Sequence, residues 1–363
     1  MRLEMYRSPE LSRRLAARIA ALAREERREI AIMEVCGTHT MSIARCGLRS
    51  LLPENLRLLS GPGCPVCVTA QRDLDRAIAI ATQHPVQVVT FGDLFRVPGT
   101  QFSLEQAKAA GARVITAYSP LAALEAARAE PGIETVFIGI GFETTAPAIA
   151  ATLQRARAEG LGNLSVLSLC KLVPPALRAM LTGGQARVDG LLLPGHVSVV
   201  LGAQPYAFVA AEFGVPCVIT GFEPVDILQG LVMLLEQLHG RRAAVEIAYR
   251  RVVSPDGNPS ARALLAEVFA PCDAEWRALG VIPASGLALA PAYTQFDAAR
   301  RFPVELPEPA PEKGCMCGEI LTGRAAPADC PLFGKTCTPE TPVGPCMVSS
   351  EGACAAHYLY GAR

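Results

Sequence analysis

Cys36 and His39 stand three residues apart in Cys36-Gly37-Thr38-His39, directly after the run Ile30-Ala31-Ile32-Met33-Glu34-Val35. An apolar, β-branched run ending in a Gly-containing turn predicts a buried strand that opens into a loop. A thiol and an imidazole on that loop are both ligands for iron or zinc, and together they form a candidate nucleophile–base pair. A buried thiol beside a satisfied histidine is also ordinary core, so the pair needs company before it means anything.

Company comes from Gly61-Pro62-Gly63-Cys64-Pro65-Val66-Cys67, which follows a second apolar run, Leu56–Ser60. The C-x-x-C spacing brings Cys64 and Cys67 within reach of disulfide exchange or of a shared metal. A helix starting there would lower a thiol pKa, and the glycines let the backbone approach a neighbour closely. The plain alternative is a tight Gly-Pro turn whose cysteines only pack. Glu143, in Gly141-Phe142-Glu143-Thr144-Thr145, is a candidate proton donor or acceptor, with helix capping as its structural alternative, shared by Thr144 and Thr145. His196, after Pro194-Gly195, is the candidate second imidazole.

The last fifty residues hold Cys315, Cys317, Cys330, Cys337, Cys346 and Cys354 with little apolar periodicity. Such a segment makes little core alone, so a metal centre is the natural organiser. Structural zinc prefers two close pairs of cysteines; the long, uneven C-x14-C-x6-C-x16-C through Cys315, Cys330, Cys337 and Cys354 favours a [4Fe-4S] cluster. Cys317 can stand in for Cys315, and Cys346 for Cys354. Cys170, Cys217 and Cys272 read as ordinary core or loop thiols.

The elements that must hold these groups alternate. Strands are predicted at 30–35, 56–60, 86–91, 112–117, 134–140, 164–169, 190–193 and 215–220, with helices between them. That rhythm means right-handed crossovers and mostly parallel sheets. Cys36 with His39, Cys64 with Cys67, Asp93, Glu143 and His196 each fall just past the carboxyl end of a strand, the edge where open α/β sheets bind ligands. The expected fold is α/β: two parallel-sheet, Rossmann-like domains (1–130 and 131–240) around a central cleft, then a Cys-rich iron–sulfur domain (241–363). Segment 303–314 reads as a linker or extended wrap.

A chain of 363 residues, half of them hydrophobic, has apolar surface for more than one core. Lys plus Arg equals Asp plus Glu at 34 each, which argues against nucleic acid or anionic membrane as the main partner. The Arg-rich amphipathic segment 9–28 does not read as a signal peptide, and no apolar run is long enough to span a bilayer. A cytoplasmic location is expected, where thirteen cysteines point to metal or redox chemistry rather than structural disulfides.

Cys-Gly-Thr-His (36–39), Gly-Pro-Gly-Cys-Pro-Val-Cys (61–67), Gly-Phe-Glu-Thr-Thr (141–145), Pro-Gly-His-Val-Ser (194–198) and the tail motifs Asp329–Gly334 and Met347–Gly352 resemble, in that order, the HypD family of [NiFe]-hydrogenase maturation factors. The one departure noted is Pro345 before Cys346, where Ala is expected. The resemblance implies a scaffold for building the Fe(CN)2(CO) group of hydrogenase. It implies HypC as the small chaperone partner, HypE as the cyanide donor, and the hydrogenase large-subunit precursor as the indirect recipient. Carried over by motif, Cys36 holds the iron with His39 beside it. Cys64 and Cys67 form a redox dithiol, and the tail cluster passes it electrons. Two rivals remain: an iron–sulfur thiol–disulfide reductase, and a Cys–His hydrolase that would leave the dithiol and the tail without a role.

Overall fold

The computed structural model describes residues 3–184, 188–308 and 314–361. In chain order its strands are β1 (Ile30–Glu34), β2 (Leu56–Ser60), β3 (Val86–Phe91), β4 (Arg113–Ala117), β5 (Glu134–Gly141) and β6 (Leu164–Cys170). There follow β7 (Gly190–Pro194), β8 (Cys217–Thr220), β9 (Val245–Ile247), β10 (Phe269–Trp276) and β11 (Gly280–Leu289). One parallel sheet has the order β2-β1-β7-β8-β9 and another β4-β3-β5-β6, while β10 and β11 form an antiparallel hairpin. Helices cover both faces of a parallel sheet, so its central strands are apolar without alternation; β7, Gly-Leu-Leu-Leu-Pro, is buried along its whole length.

The division expected at residue 130 follows chain order rather than the sheets. The first sheet takes β1 and β2 from before that point and β7, β8 and β9 from after it; the second takes β3 and β4 with β5 and β6. Asp189 helps fix the long return: its amide donates to Ala31 O (2.7 Å) and its carboxylate accepts from the Ala31 amide (2.8 Å), docking β7 beside β1. Strand β9 lies beyond residue 240 yet completes the first sheet.

The hairpin was not foreseen, because weak periodicity and frequent Pro obscured it. Trp276, fully buried at its turn, donates Nε1–H to Ser285 Oγ (2.9 Å), and Ser285 O accepts from the Leu172 amide (2.8 Å), so the hairpin covers the end of β6. Helix Pro9–Glu25 buries Ile19 and Leu22 against helix Pro224–His239, with Leu11 and Leu15 half-buried. Within the expected linker, Glu305 exchanges hydrogen bonds with the Gln83 side chain, an extended wrap on helix Gln71–Gln83; residues 309–313 of it lie outside the described residues. The Cys-rich tail is no separate layer: helix Ala353–Tyr360 packs on helix Gly37–Arg45 of the first sheet's unit. Among the described residues no helix is long and apolar enough to cross a membrane.

Candidate functional site

Cys36 caps a helix rather than riding a loop. Its backbone is extended (φ −151°) and helix Gly37–Arg45 begins at the next residue, so His39 lies in the first turn. The Gly61–Cys67 segment leaves the neighbouring strand β2 and meets this corner directly. Gly61 donates its amide to Glu34 O and Gly63 O accepts from the Gly37 amide, both at 2.8 Å. A β-carbon on Gly63 would stand 2.4 Å from Val35 C, so only glycine admits the approach. Cys64 and Cys67, both buried, are joined as a disulfide with Cα atoms 5.2 Å apart. The helix expected to activate them is a single turn, Pro65–Val68, so a dipole argument has little to work with.

Charged side chains frame the corner. Glu34, fully buried at the end of β1, accepts from the Cys36 amide (3.1 Å) and from the Thr40 hydroxyl. Burial pushes its carboxyl up to about 7, against the Thr40 hydrogen bond. From the tail, Glu351 accepts from Thr38 Oγ1 (2.5 Å), and Ser349 Oγ donates to Asp93 Oδ2 (2.7 Å). Asp93, one of the strand-end residues, thus anchors the tail across the cleft edge. Burial pushes the Cys36 thiol up to about 12, with Glu351 and Glu34 adding to the rise and the His39 and Thr38 amides opposing it.

His39 and His196 meet through Phe222. The His39 ring lies 4.8 Å from Phe222, and His196 stacks on the same ring at 3.9 Å, covered on one face while its edge stays exposed. His39 Nε2 bonds Gly221 O at 2.9 Å; a carbonyl only accepts, so Nε2 carries the proton and Nδ1 holds a lone pair. That Nδ1 is buried without a partner. Burial pulls the imidazole down to about 4, leaving it neutral at pH 7. No hydrogen bond joins the His39 ring to the Cys36 thiol, which removes the support for a hydrolase pair.

Glu143 does not cap its own helix, Ala146–Ala158, and neither does the Thr145 side chain. Its Oε1 accepts from the Val173 amide (2.9 Å), the first residue of helix Val173–Thr182, and its Oε2 is buried with no partner. Burial raises its carboxyl to about 8. Tyr206 is wholly buried as well. Burial raises the phenol well above its usual range, with negative charge at Glu143 adding to the rise and a hydrogen bond with the Ser198 side chain opposing it.

The tail cysteines gather beside the disulfide. Cys67 Sγ lies 4.0 Å from Pro345 O, the residue that departs from expectation and that opens the turn Pro345–Val348. Cys346 and Cys354 sulfurs are 3.1 Å apart. A side chain on Gly344 would put its β-carbon 2.7 Å from Cys315 Sγ and 4.0 Å from Cys346 Sγ, so the missing side chain leaves room where the thiols converge. A thiolate at Cys315 is disfavoured first by burial and then by Cys317, Cys330 and Cys337. The donor set is therefore sulfur only, the ligand chemistry of an iron–sulfur cluster. Among the described residues no three of these groups already surround one point in a metal-holding arrangement.

Four contributors escaped the sequence reading. Glu34 carried a usable signal, a carboxylate inside an otherwise apolar strand. Phe222 lies in Gly221-Phe222-Glu223, which repeats the Gly-Phe-Glu of 141–143, and Glu351 in a tail motif quoted only for resemblance. Tyr206 had no signal at all.

Comparison with known proteins shows the family. A family profile described as "HypD: Hydrogenase formation hypA family" matches residues 10–361. The hydrogenase maturation factor HypD of Rhodobacter capsulatus is 47% identical, over 98% of this chain and 97% of its own length. That of Escherichia coli K12 is 47% identical over 99% and 97%, and that of Rhizobium leguminosarum 46% identical over 99% and 95%.

Proposed function

The chain belongs to the HypD hydrogenase-formation family, with a role in hydrogenase maturation, and we propose that it is the scaffold on which an Fe(CN)2(CO) group is assembled. The observation that carries this reading is the backbone contact of Gly63 with Cys36, which keeps a redox-capable cysteine pair beside a single buried thiol. In the proposal Cys36 holds the cargo iron, since a soft thiolate suits low-spin iron. Reduction of the 64–67 disulfide takes up two electrons and two protons and yields two thiols, which supplies reducing equivalents next to that iron. His39 keeps its Nε2 proton on Gly221 O and turns an unshared pair inward. Glu351, bonded to Thr38, brings the tail against the same corner.

Cys315, Cys330, Cys337 and Cys354 would hold a [4Fe-4S] cluster, whose contribution when bound is single-electron transfer to the nearby disulfide. The expected partners are a HypC-type chaperone, a HypE-type cyanide donor and, indirectly, the hydrogenase large-subunit precursor. The formed disulfide also favours a second reading, a thiol–disulfide reductase acting on a protein disulfide. Infrared spectroscopy of the chain purified anaerobically with its small partner separates the two. Cyanide and carbonyl stretches support assembly. Thiol–disulfide turnover without them supports the reductase.

A further inference from the structure

Arg49 and His357 come from opposite ends of the chain and line one cavity of about 330 Å³. One wall is strand β2, the edge of the first sheet, and the other is the tail, from Ile320 to helix Ala353–Tyr360. Leu52, Leu56, Leu58 and Ile320 make much of the surface apolar. Among the described residues the lining includes the basic side chains Arg49, Arg57 and His357 and no Asp or Glu. In a chain whose acids and bases are equal in number, a cavity lined by bases alone is an imbalance that an anion would correct.

The three bases differ in what they already hold. Arg57 donates to Glu29 at 2.8 Å, both side chains being exposed. Arg49 gives one N–H to Leu58 O on the edge strand and, among the described residues, has no further hydrogen bond and no ion pair. Burial works against its charge and Glu34 favours it, but the two Glu34 oxygens are committed to the Cys36 amide and the Thr40 hydroxyl. A guanidinium carries five N–H groups in a flat fork, so the Leu58 bond fixes the fork and leaves most of its donors unused. His357 is half-buried with its ring against Phe333 at 5.4 Å, and no hydrogen bond reaches it from the described residues. Either tautomer of the imidazole supplies an N–H.

We propose that this cavity binds a carboxylate bearing a short aliphatic group, with the carboxylate on Arg49 and His357 and the aliphatic part against Leu52, Leu56, Leu58 and Ile320. The Arg49 fork matches the two oxygens of a carboxylate, and the apolar wall draws the carbon chain out of water. Inorganic phosphate would satisfy the fork and leave the wall uncovered. The volume lies at the low end of the roughly 300–1,000 Å³ of ligand pockets, which admits a body of a few carbons. Occupancy would join β2 to the tail helix that carries Cys354, so the ligand would stabilise the docked tail. The site does not depend on the scaffold reading.

The test is isothermal titration calorimetry of the full chain with 4-methylpentanoate, its primary amide and inorganic phosphate. Saturable one-to-one binding of the acid is expected, with the amide and phosphate each at least about tenfold weaker. Arg49→Gln should weaken the acid at least about tenfold, Arg49→Lys less, because the charge stays without the fork, and His357→Phe severalfold. Arg49 is exposed, so its variants keep the fold. A thermal midpoint that the acid raises in wild type and leaves unmoved in Arg49→Gln supports the same contact. A tripeptide ending in leucine, compared with its C-terminal amide, separates the two sources of such a carboxylate. Tighter binding of the peptide assigns a chain end, tighter binding of 4-methylpentanoate assigns a free acid, and either supports the site. No saturable binding of either acid by wild type at millimolar concentration overturns it. Equal affinity in wild type and Arg49→Gln overturns it too, as does phosphate bound as tightly as 4-methylpentanoate.

Discussion

A β-carbon built on Gly63 would stand 2.2 Å from the amide nitrogen of Cys36 and 2.5 Å from its α-carbon. Both neighbours are backbone, so no flexible side chain can yield. Gly63→Ala must push the Gly61–Cys67 segment away from the end of β1. We expect a loss of about 1–3 kcal/mol, the usual cost of overpacking, read by chemical denaturation. Hydrogenase maturation should fall further than that stability loss explains, because the displaced segment carries the disulfide. Stability and maturation equal to wild type would mean that the contact is dispensable.

Glu34 ties Cys36 to the strand beneath it. Its two oxygens accept from the Cys36 amide and the Thr40 hydroxyl. In Glu34→Gln one accepting oxygen becomes an NH2 that faces a donor, at a cost of about 1–3 kcal/mol. Adding Thr40→Ala removes one of those donors. The double variant should therefore lose less than the two single losses summed, and a denaturation-based double-mutant cycle measures the difference. Strict additivity would show that Glu34 and Thr40 do not share the bond.

Much of this frame was legible in the chain, and for a physical reason. Strand 86–91 is buried but for its last residue and rich in β-branched residues, and the edge strand 56–60 shows apolar residues broken by an exposed Arg57, so both could be read to the residue. What sat at their carboxyl ends followed from the same reading. The partition of strands between sheets was not legible, because β1 pairs with both β2 and β7, and a return across more than a hundred residues leaves no local pattern. The hairpin β10–β11 was hidden because its outer face is solvated and its strands carry Pro271 and Pro283.

Side-chain roles divided along the same line. Cys36, Cys64 and Cys67 announced themselves by residue type, and Glu143 and His196 by strand-end position. Tyr206 ends a short turn in an alanine-rich stretch, and only tertiary packing buries it. Glu143 offered a local capping alternative that was the wrong helix: it caps Val173, thirty residues on, rather than Ala146.

Cys36 and the tail thiols should fail independently. Cys36→Ala is expected to abolish cyanide and carbonyl stretches and hydrogenase maturation, while the brown absorbance of a tail cluster persists. Cys337→Ala should bleach that absorbance and leave Cys36 titratable, with Cys64 and Cys67 titratable after chemical reduction. Absorbance, iron and sulfide content, and thiol counting check both. Loss of the absorbance in Cys36→Ala would mean that the ligands have been assigned to the wrong cysteines.

Glu143 should make the protein less stable as pH rises. Burial lifts its folded pKa to about 8, from an ordinary value of 4.5. Between those values the unfolded chain has lost the proton and the folded chain keeps it, so folding binds a proton and stability declines with pH. The contribution is fully present below about 4.5 and is lost as pH climbs through about 8. Glu143→Gln keeps an oxygen for the Val173 amide and cannot titrate. Its stability relative to wild type should therefore improve with pH across that window, by an amount on the order of a few kcal/mol. Glu34 titrates in the same direction in both proteins, so subtracting their denaturation curves at matched pH isolates Glu143. Parallel curves from pH 4.5 to 8 would show that its carboxyl is not held neutral.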